Sequence, residues 1–130
     1  MIVLDTHVWI WWVDGHPRLK QSIRDKIDLE NDVRICAISL LEIATAVSLG
    51  RLTLRPSAEH WLEIAQSAEQ IRVEPLSDKL CLGSVNLPGE FHRDPADRLI
   101  VALARALDVE LVTADRKILA YPSVTTIAAE

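Results

Sequence analysis

Four acids stand where chemistry can be done: Asp5 after the apolar run Ile2-Val3-Leu4, Glu42 after Ile38 to Leu41, Asp97 after Asp94-Pro95-Ala96, and Asp115 after Leu111 to Ala114. Two carboxylates ~4 Å apart repel by about 4 kcal/mol at an effective dielectric of 20. Four gathered in one place therefore require protonation or a cation. Donors that are all oxygen select magnesium or manganese over zinc. A hard cation held this way generates a hydroxide from water near neutral pH and offsets charge on a phosphate under attack. Hydrolysis of a phosphodiester is the chemistry such a cluster supports.

The elements that would position these acids follow from periodicity. Short apolar runs at Ile2 to Leu4, Val33 to Ile38, Ile71 to Glu74, Leu111 to Thr113 and Val124 to Ile127 read as strands. Between them lie helical patterns: Thr6 to Val13; a segment after Pro17 with Leu19, Ile23 and Ile27 on one face; and Leu40 to Gly50. Others start at Ser57 and at Ser77, and one runs from Asp94-Pro95 to Leu107. Strands that alternate with helices predict an α/β fold, a three-layer sandwich around a mostly parallel central sheet. Ligands collect at the carboxyl edge of such a sheet. All four acids fall at that edge, from four separate segments.

Each acid also has an ordinary structural explanation. Ser39-Leu40-Leu41-Glu42 fits a capping box, with Glu42 returning a hydrogen bond to Ser39. Asp94-Pro95-Ala96-Asp97 is good helix-start chemistry, and Asp5 and Asp115 suit a helix start and a turn. It is the coincidence of four at one edge that favours a site.

With 130 residues and no repeat or Gly/Ser-rich linker, the chain is expected to form one domain, residues 1–130. Hydrophobic residues make up 49% and charged residues 25%, which fits a globular protein; no apolar run reaches membrane-spanning length, and no secretory signal opens the chain. Cys36 and Cys81 are too few for a disulfide framework and read as buried thiols of a cytoplasmic protein. Fourteen basic against nineteen acidic residues give a net charge of −5, which argues against a general polyanion binder. Set the four site acids aside and fifteen remain, close to balance.

Ile2-Val3-Leu4-Asp5-Thr6-His7, Ile38-Ser39-Leu40-Leu41-Glu42-Ile43-Ala44, Asp94-Pro95-Ala96-Asp97-Arg98-Leu99-Ile100-Val101-Ala102 and Leu111-Val112-Thr113-Ala114-Asp115, in that order, resemble the PIN-domain family. They look most like its VapC-type toxins of bacterial toxin–antitoxin pairs, and the likeness runs from Met1 to about Leu119. The resemblance implies a metal-dependent ribonuclease whose acids are Asp5, Glu42, Asp97 and Asp115, with Asp94 in support. It implies Mg2+ or Mn2+ as cofactor, products ending in 5′-phosphate and 3′-hydroxyl, a homodimer, and inhibition by a cognate antitoxin. The stretch from about Thr53 to Glu90 carries no family motif, so the RNA target stays open.

Flanking cations, Arg93, Arg98, Arg116 and Lys117, are candidates to hold RNA phosphates, although Arg98 can instead pair with Asp94 or Asp97. His7, His16, His60 and His92 lack zinc-site spacing. Trp9 and Trp12 share a helix face and read as core, leaving Trp11 as the indole available to a partner. A phosphate-signalling receiver domain fits poorly: Asp5 has no paired acid, and no Lys ends a late strand. A catalytically inactive binding or scaffold protein of the same fold, and a DNA nuclease of the same chemistry, remain the other readings.

Overall fold

A computed structural model describes residues 1–130. Its five strands, β1 (Ile2–Leu4), β2 (Val33–Cys36), β3 (Ile71–Glu74), β4 (Glu110–Thr113) and β5 (Thr126–Ala128), form one sheet in the order β3-β2-β1-β4-β5. Every pairing is parallel. Parallel neighbours need crossovers, and the helices supply them. They are α1 (Thr6–Asp14), α2 (Gln21–Leu29), α3 (Ile38–Ser48), α4 (Ala58–Ser67), α5 (Asp78–Val85), α6 (Pro95–Leu107) and α7 (Arg116–Leu119). The three-layer α/β expectation holds, with the sheet wholly parallel. No helix is long and apolar enough to cross a membrane.

Side chains of β1 alternate between the two faces, as a strand requires. Ile2 and Leu4 join a core with Val8 and Trp9 of α1, Ile23 and Ile27 of α2, and Trp61 and Ala65 of α4. Val3 points into the opposite core, with Leu80 of α5, Ile100 and Val101 of α6, Leu111 and Ile118. Trp9, fully buried, meets Trp61 edge-on at 5.7 Å between ring centroids, and the Trp61 indole donates to Asp14 at 2.7 Å. Such a pair adds to simple burial and locks α1 against α4.

The register sets the site. Leu4 lies beside Ile35 on one side and Val112 on the other, so the three central strands end level. Asp5 follows Leu4 directly, and its amide donates to Val112 O at 3.0 Å. The chain steps from β1 to β2 on one side and reaches β4 on the other, so the strand order reverses at β1. A crevice opens at the carboxyl ends of strands at such a reversal.

Several boundaries differ from expectation. Strand β2 stops at Cys36, and α3 begins at Ile38 rather than Leu40. The last strand sits two residues late, at Thr126–Ala128. The short helix α7 has only four residues, too few for periodicity to reveal, and is set by Asp115, which caps it. Cys36 is buried but Cys81 is exposed, because α5 turns Leu80 and Ser84 inward and leaves Cys81 outside.

Ile100 is fully buried where α6 covers the sheet. Ile100→Ala is therefore expected to cost about 2–5 kcal/mol, the range for a truncated core aliphatic. Chemical denaturation with an unchanged denaturant slope checks this.

Candidate active site

A cleft of about 380 Å³ lies at the carboxyl ends of β1 and β4, lined by Asp5, His7, Trp11, Arg18, Glu42, Asp94, Asp97, Ala114 and Asp115. All four acids singled out from the sequence are in it, and so is Asp94. They arrive from four segments: the end of β1, the second turn of α3, the first turn of α6 and the end of β4.

Asp5 is the deepest, 7% exposed. Its Oδ1 accepts the Thr6 amide at 2.8 Å, and its Oδ2 accepts the Thr113 hydroxyl at 2.7 Å. Burial pushes its pKa up; the Thr113 hydroxyl and Thr6 amide oppose the rise, and the nearby Asp115 adds to it. Thr113 Oγ1 also accepts the Asp115 amide at 3.0 Å, so one hydroxyl fixes both the first and the last acid.

Glu42 is not half of a capping box. Helix α3 starts after Ala37, which places Ser39 inside the first turn, with its hydroxyl buried against Thr6. Thr6 Oγ1 donates to Glu42 Oε1 at 2.5 Å and lies 2.7 Å from Ser39 Oγ. A threonine has one proton to give, so Ser39 is the donor to Thr6. The Glu42 pKa is raised by burial, lowered by the Thr6 hydroxyl and raised again by Asp5 and Asp94.

Asp97 is the most perturbed acid. Burial and then the charges of Asp5, Asp94, Asp115 and Glu42 push it up to about 7. His92 lies against it, with Nε2 3.1 Å from Asp97 Oδ2 but out of line for a hydrogen bond, so that this buried nitrogen has no aligned partner. The other ring nitrogen, Nδ1, accepts the Asp94 amide at 3.3 Å, which places the ring proton on Nε2.

Three acids serve two purposes at once. Asp5, Asp94 and Asp115 each cap a helix through Oδ1: Asp94 accepts from Ala96 and Asp97 amides, and Asp115 from Lys117 and Ile118 amides. The capping reading and the site reading are compatible, because Asp5, Asp94 and Asp115 line the cleft while one oxygen of each serves as the cap. The acids line one cleft, but no three His, Cys, Asp or Glu side chains converge into a ready-made metal cage. Four of the five instead accept hydrogen bonds of their own from the protein, Asp5, Glu42, Asp94 and Asp115, and Asp97 accepts none.

The flanking cations are arranged differently from expectation. Arg98 pairs with neither Asp94 nor Asp97. Its guanidinium binds three backbone carbonyls, of Ser84 at 2.8 Å, Phe91 at 3.0 Å and His92 at 3.1 Å, and so pins the loop that carries His92. Arg93 and Lys117 are exposed and outside the cleft lining, whereas Arg18, which sequence reasoning passed over, is part of it. Trp11 is also corrected. It is 7% exposed, covered by His16 and Arg18, while Trp12 is the half-buried indole and donates to Asp28 at 2.8 Å. Sequence reasoning assigned no role to Thr6 or Thr113 and a different one to Ser39; a hydroxyl beside Asp5 and another two residues before Asp115 were the available signal.

A second depression adjoins the cleft and shares His7, Glu42 and Asp94 with it. It is an apolar groove of about 530 Å³, whose walls include Ile10 of α1 and Ile38, Leu41 and Leu49 of the α3 segment. Leu41 and Leu49 are 62% and 58% exposed, an unusual display of large apolar side chains on one wall.

A family model described as the PIN domain matches residues 2–123, which takes in every acid of the cleft. The chain belongs to the PIN-domain family. This PIN domain is 34% identical over 117 residues to ribonuclease VapC22 of Mycobacterium tuberculosis, covering 90% of this chain and 88% of that protein. Its fold is similar to solved toxin–antitoxin structures. VapBC2 from Rickettsia felis, bound to a promoter DNA fragment, matches with a TM-score of 0.74 at 20% identity over the whole of both chains. DNA-bound VapBC from Salmonella typhimurium matches with a TM-score of 0.72 at 19% identity, over 99% of this chain and 98% of that one. Those two likenesses establish the fold.

The raised pKa of Asp97 has a definite consequence for stability. A carboxyl that holds its proton more tightly when folded destabilises the fold progressively as pH climbs from its unfolded value, 3.8, to about 7. Asp97→Asn is therefore expected to raise the melting temperature in chelator more at pH 8 than at pH 5. Thermal melts of both proteins at the two pH values check this; an equal gain at both would contradict the shift.

Proposed function

We propose that this PIN domain is a metal-dependent endoribonuclease that hydrolyses RNA phosphodiester bonds, and that it is the toxin of a toxin–antitoxin pair. The observation that carries the reading is the gathering of Asp5, Glu42, Asp97 and Asp115 from four segments into one cleft, with Asp97 pushed to about 7. The 34% identity to a ribonuclease supports RNA as the substrate.

The donor set fits a hard divalent cation: all oxygen, excess negative charge, and carboxyl groups whose ionised forms are penalised without a cation. Mg2+ or Mn2+ held there would activate water and offset charge developing on the phosphate. Asp5 is the central ligand, since β1 is the innermost strand and the Thr113 hydroxyl and Thr6 amide fix both its oxygens. Glu42 and Asp97 complete the first set. Asp115 holds a second ion or orients water, and Asp94 supports Asp97 through its amide. Thr6 aims Glu42 and keeps it from folding away toward the apolar groove. The whole chain, residues 1–130, acts as one nuclease unit in this reading, and the cut leaves a 5′-phosphate and a 3′-hydroxyl.

The apolar groove is the place for the antitoxin. An amphipathic segment would cover Leu41 and Leu49, and a basic side chain beyond it would reach the shared carboxylates. A cation at that spot relieves the same repulsion as the metal, so inhibition and metal binding compete. The homodimer expected from the sequence stays part of the proposal; Leu82 and Val85 on α5 add exposed apolar surface outside the groove.

Asp5→Asn keeps the shape of a capping side chain and removes the charge. Cleavage of RNA, dependent on added magnesium or manganese in the wild type, is expected to fall by about 10²-fold or more, the scale of losing one preorganised electrostatic partner. A single-turnover assay reads it, and full activity in the variant would sink the assignment. A separate variant, Leu49→Glu, tests the groove. It should weaken the complex with the co-encoded antitoxin by at least about tenfold, since a buried leucine is worth about 1.5–3 kcal/mol. Cleavage by the free protein should be unchanged. Titration of inhibition measures both, and an unaltered inhibition curve removes the groove from the interface.

A further inference from the structure

We propose that Arg18 anchors an RNA phosphate at the rim of the acid cleft, on a guanidinium laid over the Trp11 ring and tethered by Glu130. The inference deepens the ribonuclease reading and rests on it, for it names the side chain that lets a polyanion approach five carboxylates.

Of the nine residues that line the cleft, five are Asp or Glu and only Arg18 is a permanent cation. A nucleic-acid strand entering there meets repulsion that metal ions offset at the scissile phosphate. The neighbouring phosphates still need a partner. Lysine or arginine contacts to phosphate provide it and fix the strand's register.

Arg18 is built for this more thoroughly than an ordinary surface arginine. Its guanidinium carbon lies 4.7 Å from the centre of the Trp11 ring, a cation–π contact. Trp11 is itself stacked on His16, with 5.9 Å between ring centres and 25° between planes, and the His16 Nδ1 accepts the Arg18 amide at 3.1 Å. The backbone and the plane of the side chain are thus both held. Glu130 takes one edge of the fork, accepting from Nε at 3.1 Å and Nη2 at 2.8 Å. Nη1 makes no hydrogen bond within the protein, and the side chain remains 59% exposed. A planar donor group with its remaining edge free suits a phosphate oxygen better than a mobile ammonium would. Arg116, which follows Asp115, also acts on the Glu130 carboxylate and helps hold its pKa low. Glu130 thus lies within the field of two arginines.

This arrangement makes Glu130 an opponent of the bound phosphate as well as a tether. Its charge partly cancels that of Arg18, so removing it should strengthen phosphate binding, whereas removing Arg18 should weaken it. A purely structural ion pair would send both variants in the same direction.

The experiment measures binding of a short, unstructured, fluorescein-labelled RNA by anisotropy across a salt series, in an Asp97→Asn background that does not cleave. Arg18→Ala is expected to weaken binding about tenfold and to make the salt slope shallower by about 0.7, the loss of one single-strand phosphate contact. Glu130→Gln should bind a few-fold more tightly than the background. Arg18→Lys, which keeps the charge without the planar fork, should retain the slope and lose part of the affinity; it also serves if the alanine variant melts early. An unchanged slope in Arg18→Ala, or weaker binding in both Arg18→Ala and Glu130→Gln, overturns the anchor. So does a background protein that binds no RNA. Cleavage by the wild type with magnesium is scored separately. Intact cleavage with an unchanged slope removes the anchor and leaves the nuclease standing, and the reverse pattern removes the nuclease alone.

Discussion

The Thr113 hydroxyl donates to Asp5 across two neighbouring strands while accepting the Asp115 amide, and this small junction holds the site together. Burying a carboxyl group at the end of a central strand is costly unless its oxygens are bonded. Asp5 has one bond from the helix start that follows it and one from β4, so both oxygens are satisfied by groups the sheet itself places. The level ending of β1 and β4 is what makes this possible, since Leu4 and Val112 are register partners. Burial raises the pKa of Glu42 and Asp97, and the charge of Asp5, held in place, adds to the rise in both.

Two surfaces with opposite properties meet at His7, Glu42 and Asp94. One is a polar cleft short of positive charge, and the other an apolar groove short of cover. Thr6 stands where they join. Its hydroxyl accepts a hydrogen bond from Ser39 and donates one to Glu42, so the helices α1 and α3 are linked through a single oxygen. Anything that moves α3 by occupying the groove acts on Glu42 directly, without a relay through the core. In the proposed reading, a binding event on the apolar side and chemistry on the polar side would be coupled by this adjacency.

Much of this was legible in the sequence, for reasons specific to the residues concerned. The run Val3 to Leu4 followed by Asp5, and Leu111 to Thr113 followed shortly by Asp115, combine strand patterning with an acid at the end, and a parallel sheet brings such ends together. Asp94-Pro95 marks the start of α6 unambiguously, because both the cap and the fixed backbone angle point to one position. The capping-box alternative for Glu42 failed, since Ser39 satisfies Thr6 rather than a helix terminus. Arg98 was misread because its partners are backbone carbonyls, which carry no residue signature, and Trp11 because the loop after α1 folds His16 and Arg18 back over it, which helix periodicity does not register. Arg18 escaped notice because its cleft position depends on Trp11 and on Glu130, 112 residues away. Helix periodicity could not reveal α7, which is a single turn.

The Asp5–Thr113 bond joins residues 108 positions apart. During synthesis the chain emerges from its amino terminus, and β1 is made first although it belongs in the middle of the sheet. It can pair with β2 early, but its other edge stays open until residues 110–113 are available. Asp5 waits for Thr113, 108 positions further on, and for Asp115 beyond it. The cleft thus cannot be completed on a nascent chain until the segment carrying Thr113 and Asp115 has been translated. In the proposed reading, that of a nuclease made in the midst of RNA, that ordering of strands would act as a delay between synthesis and activity.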